Sequence, residues 1–323
     1  MSSPWTSRRG SGPALVTLGC MNFGKRTPET EARRIIERAL ARGVRTFDTA
    51  NSYNDGDSER ILGAALRGAA PGEIFVATKV GMDGCARGQC EGLARKTVLA
   101  ACERSLARLG MDRVALYYLH KPDRETPFAE TLDALAELHA AGRFERFGVS
   151  NYASWKVLEV LRACDERGVP RPAASQVLYN PAIRQLEIEH LEFCAAYDLH
   201  VTVYNPLAGG MLARAVDPAA APPVGSRFEG SEQYRNRYLS GRMFAFAEAW
   251  ARIAAREGRA PADVAHAWVA AQPGIDSILV GPGSLAHLDA ALDAVERPLS
   301  PEALAAIAEL QRDFDGTDAR YAR

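Results

Sequence analysis

The sequence has little of several features, and each shortage excludes a class of protein. No apolar run approaches the ~20 residues that a membrane-spanning helix needs, and residues 1–13 lack the apolar core of a signal peptide. The formal net charge of −1 argues against a general nucleic-acid binder, which needs an excess of cations. We therefore expect a cytoplasmic protein that binds neither membranes nor nucleic acids, with residues 1–13 as a flexible lead-in.

Cysteine is sparse as well. Six cysteines are scattered over the 323 residues, and no two of them form a Cys-x-x-Cys pair. Cys85 and Cys90 lie close together in a glycine-rich stretch, but no second close pair accompanies them. We therefore expect no metal site and predict that the cysteines are free thiols, as is usual in a reducing compartment.

Lysine is scarcer than arginine. Of the 39 cationic residues only five are lysine, and the rest are arginine. This usage reflects genome composition, and no function is drawn from the arginine surplus as a whole. A lysine that ends an apolar strand is informative against this background, because a compact ammonium group changes its pKa more readily than a guanidinium group does. Lys79 occupies such a position.

The chain does contain one repeating pattern, in which a short apolar run is followed by a turn and a segment with helical periodicity. Eight runs predict strands, over Val16–Leu18, Val44–Asp48, Ile74–Lys79, Val114–His120, Arg146–Ser150, Ser175–Tyr179, Val201–Asn205 and Ser277–Gly281. Alternating strands and helices are typical of an α/β fold with a parallel sheet. Eight repeats favour a closed (β/α)8 TIM barrel over an open sheet, and no dinucleotide or phosphate-loop fingerprint follows the first strand.

The helical segments have an apolar stripe and recognisable ends. In Thr30–Arg42 the apolar residues recur three and four positions apart, and Thr27-Pro28 predicts an N-cap followed by a proline at the first helical position. A long loop, Leu207–Arg242, follows the seventh strand, and an extra C-terminal helix begins at Ser300-Pro301. No composition break divides the chain, so we expect one domain over residues 1–323.

Polar residues at the carboxyl ends of barrel strands indicate where chemistry takes place. Asp48 ends the second predicted strand, Tyr53 follows five residues later, Lys79 ends the third strand and His120 ends the fourth. The carboxyl ends of parallel strands meet at one mouth of a barrel, so these four ionisable side chains are expected to converge there.

Four motifs stand at or after the predicted strands: FDTANSYNDGDSE (47–59), LYYLHKPD (116–123), GVSNY (148–152) and YNPLAGGML (204–212). They resemble the motifs of the aldo-keto reductase superfamily, and the resemblance covers nearly the whole chain. The last motif and the C-terminal Arg-Tyr-Ala-Arg are most similar to the aflatoxin-aldehyde reductase branch. The resemblance implies an enzyme that reduces an aldehyde or ketone to an alcohol with NADPH.

The resemblance also implies a role for each of the four strand-end residues. Tyr53 is expected to be the general acid, and Lys79 is expected to stabilise its anionic form, since a free phenol has a pKa near 10. Asp48 would keep Lys79 charged and oriented. His120 would donate a hydrogen bond to the carbonyl oxygen of the substrate.

Cofactor contacts are implied in the same way. The resemblance assigns them to Met21, Ser150, Asn151, Gln176, Tyr204, Asn205, Pro206, Leu207, Gly209, Arg214, Gly281, Ser284 and His287. Two positions depart from the family pattern, because His287 stands where relatives have arginine or glutamine and Ala291 where they have asparagine. NADPH remains the favoured cofactor, with NADH as the alternative.

Four residues are candidates for the substrate pocket. Asn22 and Phe23 follow the first strand, and Arg235 and Arg323 match arginines that in this branch meet a carboxylate. We therefore formulate the hypothesis that the substrate is an anionic aldehyde or a dicarbonyl. The glycine-rich loop Gly81–Gly92 differs from that of the branch, so the specificity is expected to differ too.

Two other functions are compatible with the same motifs. One is a biosynthetic ketoreductase for a sugar or polyketide intermediate, and the other is a cofactor-binding regulatory subunit similar to the β subunits of potassium channels. The expected partner is a small carbonyl compound. The resemblance further implies a homo-oligomer, since relatives form dimers or larger rings.

Overall fold

Eight parallel strands close into a barrel, as predicted. The computed structural model describes residue 5 and residues 14–69, 72–85, 88–214, 226–229 and 231–316. Within these ranges the strands pair in chain order, and the eighth closes the ring on the first. They are β1 (Leu15–Gly19), β2 (Thr46–Asp48), β3 (Phe75–Val80), β4 (Val114–Leu119), β5 (Phe144–Ser150), β6 (Ala174–Leu178), β7 (His200–Tyr204) and β8 (Ser277–Val280). Every predicted strand is confirmed, with ends that differ by one or two residues.

The pleat of the strands decides which side chains enter the barrel. The interior of the barrel contains a separate apolar cluster, formed by Trp5, Phe75, Ala77, Leu116, Tyr118 and Ala174. Residues two apart on a strand share a face, so Lys79 follows Phe75 and Ala77 into the barrel interior. His120 follows Leu116 and Tyr118 on the neighbouring strand by the same rule. The barrel geometry thus brings Lys79 and His120 to its carboxyl end.

Helices surround the barrel. They are α1 (Glu29–Ala41), α2 (Asp57–Ala65), α3 (Arg95–Leu109), α4 (Phe128–Ala140), α5 (Ser154–Arg167), α6 (His190–Ala196), α7 (Glu232–Tyr238), α8 (Gly241–Arg256), α9 (Pro261–Ala270), α10 (Leu285–Glu296) and α11 (Pro301–Asp315). In the part of the chain that the structure describes, no helix is both long and apolar enough to cross a membrane.

The predicted helix ends are partly right. The apolar stripe of α1 is confirmed, because Ala32, Ile35 and Ile36 are buried against the barrel. The predicted N-cap at Thr27 is wrong: Pro28 occupies the cap position, and no side chain caps the helix. Ser300 does cap α11, since its hydroxyl accepts a hydrogen bond from the Ala303 amide at 3.1 Å.

The connection between β7 and β8 contains helices that the sequence pattern did not predict. The long loop predicted over Leu207–Arg242 includes α7, which is polar apart from its tyrosines. The sequence pattern also did not predict α9. All residues of α9 from Val264 to Ala270 are buried, so it has no polar face and lacks the amphipathic period that identifies a surface helix.

One prediction about the cysteines is wrong. Cys85 and Cys90 are joined by a disulfide in the loop between β3 and α3, instead of being free thiols. The pair is only five residues apart, and the chain reverses direction between β3 and α3, which brings the two sulfurs together. The other cysteines, Cys20, Cys102, Cys164 and Cys194, are buried free thiols.

Candidate active site

The four strand-end residues meet at the carboxyl end of the barrel. Lys79 and Asp48 form an ion pair whose side chains are 0% and 3% exposed. The ammonium group of Lys79 also donates to the Thr49 carbonyl oxygen at 2.7 Å and lies 3.4 Å from the Tyr53 hydroxyl. The ring of His120 meets the ring of Tyr53 edge to face, with centroids 5.7 Å apart. The predicted convergence is therefore observed.

Burial and the ion pair set the protonation states of Lys79 and Tyr53. Burial alone would lower the pKa of Lys79, but the Asp48 carboxylate and Tyr53 outweigh it and raise that pKa. Burial raises the pKa of Tyr53, and the nearby Lys79 ammonium only partly opposes this rise. Near neutral pH Tyr53 is thus a protonated phenol beside a positive charge, which is the form that a proton donor requires.

His120 is neutral in this environment. Its pKa lies well below the usual range, mainly because the ring is buried and also because Lys79 and Lys121 repel a positive charge. Its Nδ1 atom has no hydrogen-bond partner among the described residues. A neutral imidazole still donates one hydrogen bond, so His120 can bind a carbonyl oxygen without adding a charge.

The segment that carries Tyr53 is held by its neighbour Asn54. Asn54 has a φ of +52°, in the left-handed region that non-glycine residues rarely adopt. Its side-chain amide donates to the carbonyl oxygens of Met21, at 3.1 Å, and Phe23, at 2.6 Å. The amide thereby ties the loop after β1 to the turn that positions Tyr53.

The buried carboxylate of Glu59 stabilises the helix that follows the same turn. Glu59, on α2, is fully buried and accepts hydrogen bonds from Thr78 Oγ1 at 2.5 Å and from Arg108 Nε at 2.6 Å. Thr78 directly precedes Lys79, so this network joins α2 to the strand that carries the ammonium group. Gly56 allows the approach of Arg108, because a Cβ at Gly56 would lie 2.6 Å from Arg108 Cδ. Sequence reasoning did not identify Arg108 or the role of Glu59.

Four of the predicted cofactor residues lie beside these groups. Gln176 Nε2 donates to Asp48 Oδ2 at 2.8 Å. Asn151 has a φ of +65° and donates to the His120 carbonyl oxygen at 2.8 Å and to Ser150 Oγ at 3.1 Å. Tyr204 donates its hydroxyl proton to Asn151 Oδ1 at 2.6 Å, which fixes the orientation of the Tyr204 ring. Burial raises the pKa of Tyr204 to about 12, so the hydroxyl keeps the proton for that bond.

The loop after β7 is shaped by Asn205. Its φ is +64°, its Oδ1 accepts from the Gly209 amide at 2.6 Å, and its Nδ2 donates to the Tyr238 hydroxyl at 2.7 Å. Gly209 is required here, because a Cβ would lie 3.0 Å from Tyr234 Cδ1. The loop that contains Pro206 and Leu207 is therefore packed closely against α7.

Arg227 is a candidate that sequence reasoning mentioned only as part of a long loop. Its Nη1 donates to the Tyr234 hydroxyl at 3.0 Å and to Met21 Sδ at 3.6 Å, and its Nη2 lies 3.6 Å from the position of a Cβ on Gly281. Burial, and then the positive charge of Arg227, lower the pKa of Arg26. Two guanidinium groups therefore lie near the ends of β1 and β8, where Met21 and Gly281 are expected to contact the cofactor.

The far end of the expected cofactor site lies at the start of α10. Ser284 caps this helix, accepting from the His287 amide at 3.3 Å, and Glu31 accepts from the Leu285 amide at 3.2 Å. His287 is exposed, whereas Ala291 is buried against the core. Ala291 therefore belongs to the helix packing and presents no polar group there.

The substrate candidates are only partly brought together. Asn22 donates to the Gly281 carbonyl oxygen at 3.3 Å, and its buried Oδ1 has no partner among the described residues. Phe23 is 0% exposed and lies in the core, which corrects its assignment to the pocket rim. Arg235 is exposed and donates to the Phe228 carbonyl oxygen at 3.4 Å. Arg214 is exposed as well, and Arg323 lies outside the described residues.

The barrel and its strand-end groups are those of an oxidoreductase that acts on carbonyl compounds with a nicotinamide cofactor. The chain belongs to the Aldo/keto reductase family, whose sequence profile matches residues 15–312. The predicted superfamily is thereby confirmed.

Individual relatives agree with the predicted branch. "Aflatoxin B1 aldehyde reductase member 2" of Rattus norvegicus is 39% identical over 256 residues, which are 76% of this chain and 68% of the relative. The Homo sapiens protein of the same name is 36% identical over 302 residues, covering 88% of this chain and 82% of the relative. A "Probable voltage-gated potassium channel subunit beta" of Arabidopsis thaliana is 31% identical over 279 residues, or 84% of each chain.

Proposed function

We propose that this protein reduces an aldehyde or ketone to an alcohol with NADPH, using Tyr53 as the proton donor. The observation that carries the proposal is the position of the Tyr53 hydroxyl, 3.4 Å from the Lys79 ammonium and beside the His120 ring. These three groups are what a carbonyl oxygen needs when it gains negative charge and then a proton.

The chain's own residues divide the work on the carbonyl group. His120, held neutral by burial, donates a hydrogen bond to the carbonyl oxygen and orients it toward Tyr53. Tyr53 gives its proton to that oxygen, and the Lys79 ammonium stabilises the phenolate that remains. Asp48 keeps Lys79 protonated through the buried ion pair. When bound, the reduced nicotinamide supplies the hydride for the carbonyl carbon.

The described residues fit a dinucleotide. Ser150, Asn151 and Gln176 present amide and hydroxyl groups at the barrel mouth, and Asn22 Oδ1 is a buried acceptor that still lacks a partner. Arg227 supplies positive charge beside Gly281, and Arg26 lies close enough to Arg227 to feel its charge, which suits the phosphates. We favour NADPH over NADH, since the resemblance favours it and a 2′-phosphate adds charge for cations to bind. Glu31 and the exposed His287 stand at the start of α10.

An anionic aldehyde or a dicarbonyl remains the preferred substrate class. Arg235 is exposed on α7, directly follows Tyr234, which contacts Arg227, and makes a long hydrogen bond of 3.4 Å to the Phe228 carbonyl oxygen. If Arg235 binds the carboxylate, Arg235→Ala raises KM for a semialdehyde acid and leaves KM for an uncharged aldehyde unchanged. Equal KM values for the semialdehyde acid in wild type and Arg235→Ala would show that Arg235 does not bind the substrate.

Consumption of NADPH against a panel of carbonyl compounds tests the proposed function. The panel contains simple aldehydes, dicarbonyls, semialdehyde acids and ketosugars, and each assay is repeated with NADH. We expect turnover with aldehydes or dicarbonyls and a kcat/KM for NADPH about tenfold or more above that for NADH. Tight cofactor binding without turnover of any compound would instead favour the regulatory subunit, and turnover confined to ketosugars would favour the biosynthetic ketoreductase.

A further inference from the structure

The disulfide between Cys85 and Cys90 differs from the other cysteines in its accessibility. It lies in the loop between β3 and α3, where Cys85 is half-buried and Cys90 is exposed. The other cysteines of the chain are buried, and burial raises the pKa of each of them, from about 12 for Cys102 upward. Reagents in solution can therefore reach the Cys85–Cys90 pair, whereas the remaining thiols are covered and unreactive.

A cation stands beside the exposed sulfur. Lys121 Nζ lies 2.8 Å from Cys90 Sγ. A positive charge at that distance stabilises a thiolate on Cys90, and a well-stabilised thiolate is a good leaving group in disulfide exchange. Among the described residues the two sulfurs of the disulfide are therefore not equivalent, because the Lys121 ammonium group lies beside Cys90.

The loop that carries the disulfide is bound to the active-site walls through Glu91, the residue after Cys90. Glu91 Oε1 accepts from Asn51 Nδ2 and from the Gly81 amide, both at 2.7 Å. Asn51 is two residues before Tyr53. Lys121, on the other side, directly follows His120. A change in the redox state of Cys90 thus takes place next to the segments that carry Tyr53 and His120.

We propose that Cys85 and Cys90 form a reversible thiol–disulfide modification site that exchanges with low-molecular-weight thiols and their disulfides and that adjusts the substrate-side wall of the barrel mouth. In reduction, the thiolate of a small thiol attacks Cys85 Sγ, the Cys85–Cys90 bond breaks, and Cys90 leaves as a thiolate beside Lys121. A second small thiolate then attacks the mixed disulfide at the small-molecule sulfur. Cys85 leaves as a thiolate and takes a proton from water.

Atoms and electrons balance in this exchange. Two molecules of the small thiol lose two electrons and become one disulfide, while the protein disulfide gains the two electrons and becomes a dithiol. Oxidation of the protein by the small disulfide is the reverse sequence. In the reduced protein the covalent link across the loop is gone, so Glu91 is held by its hydrogen bonds and by its ion pair with Arg104.

A redox titration of the full chain tests the modification site without any need for turnover. The protein is equilibrated with defined ratios of reduced and oxidised glutathione, the free thiols are alkylated, and the adducts are located by peptide mass spectrometry. We expect Cys85 and Cys90 to pass together from alkylated to unalkylated as oxidised glutathione increases, while labelling of Cys164 stays constant. Full alkylation of both residues at every ratio would overturn the proposal.

The role of Lys121 is measured by the rate of exchange. We expect Lys121→Gln to slow reduction by glutathione about tenfold, whereas Lys156→Gln, a control far from the loop, leaves the rate unchanged. The same rate in wild type and Lys121→Gln would contradict the assigned leaving group.

The effect on the active site rests on the proposed function and is measured separately. We expect reduction of the disulfide to change KM for an aldehyde about threefold or more with kcat nearly unchanged, and Cys85→Ser to match the reduced protein. The control Cys164→Ser should respond to reductant as wild type does. Identical KM values in both redox states would contradict the proposal that the disulfide adjusts the substrate-side wall. Absence of all turnover would instead contradict the proposed function, and the mass titration would still decide the modification site.

Discussion

The two halves of the barrel mouth hold their charges in opposite ways. The first half, formed by the ends of β2, β3 and β4, pairs its charges internally, with Lys79 on Asp48 and Arg108 on Glu59. The second half, formed by the ends of β1, β7 and β8 and the connection to α7, brings the cations Arg26 and Arg227 near each other. The first half thus suits the proposed proton transfer, whereas the second suits the proposed binding of an anionic cofactor.

The largest expected effect follows from breaking the pair in the first half. Lys79→Met leaves the buried Asp48 carboxylate without its counter-ion, which costs about 3–5 kcal/mol of unfolding free energy. It also removes the charge that stabilises the phenolate, so we expect kcat to fall by about 10²–10⁴. Chemical denaturation and steady-state kinetics measure the two effects.

A double variant separates stability from chemistry in the same pair. Lys79→Met combined with Asp48→Asn removes both charges, so most of the lost unfolding free energy should return while kcat stays low. Recovery of activity together with stability would show that Lys79 acts only as a structural cation.

The second half predicts a change in binding instead. Arg227→Leu removes a guanidinium group next to Gly281, and we expect Kd for NADPH to rise about 10- to 100-fold with kcat changed little. Quenching of protein fluorescence by the cofactor measures Kd directly. Arg256→Leu, which removes an exposed charge on α8, serves as the control. Equal weakening in both variants would reduce the role of Arg227 to general surface charge.

Asn54 connects the two halves and should give a smaller effect. Asn54→Gly keeps the left-handed backbone but removes the hydrogen bonds to Met21 and Phe23, so we expect kcat to fall several-fold. Asn54→Ala should lose the same activity and in addition about 1 kcal/mol of unfolding free energy, because alanine is strained at this φ. Unchanged kcat in both variants would limit Asn54 to a structural role.

A further expected effect lies outside both halves and depends on pH. Burial lowers the pKa of His266, on α9, from 6.5 to about 4. Below pH 6.5 the unfolded chain therefore binds a proton at His266 that the folded chain does not bind. The contribution of neutral His266 to the free energy of unfolding is complete above that pH and is lost as the pH falls toward 4. We expect His266→Leu to reduce by about 2 kcal/mol the stability difference between pH 7 and pH 5. Chemical denaturation of wild type and variant at the two pH values measures this difference.

The two halves also differ in how far the sequence predicts them. Asp48, Lys79 and His120 stand at or next to the ends of strands, so the strand period and the parallel order of the barrel place them without further information. The role of Arg227 depends on a contact with Tyr234 in α7, a short polar helix with no periodic signal. Long-range side-chain contacts of this kind leave no trace in local sequence.

Other failures have similar causes. Phe23 was assigned to the pocket because it follows β1, but the turn points its ring into the core. The disulfide depends on the path of a glycine-rich loop, which cysteine spacing alone does not define. The cytoplasmic location, the homo-oligomer and the single domain over residues 1–323 stay predictions.

A single-turnover experiment with Tyr53→Phe tests the central claim most directly. The variant is loaded with NADPH, binding is verified by fluorescence, and oxidation of the bound cofactor is followed after an aldehyde is added. Tyr197→Phe, which removes an exposed hydroxyl, is the matched control. We predict that Tyr53→Phe binds NADPH as wild type does but oxidises it about 10²–10⁴ times more slowly. Oxidation at the wild-type rate would contradict the assignment of Tyr53 as the proton donor.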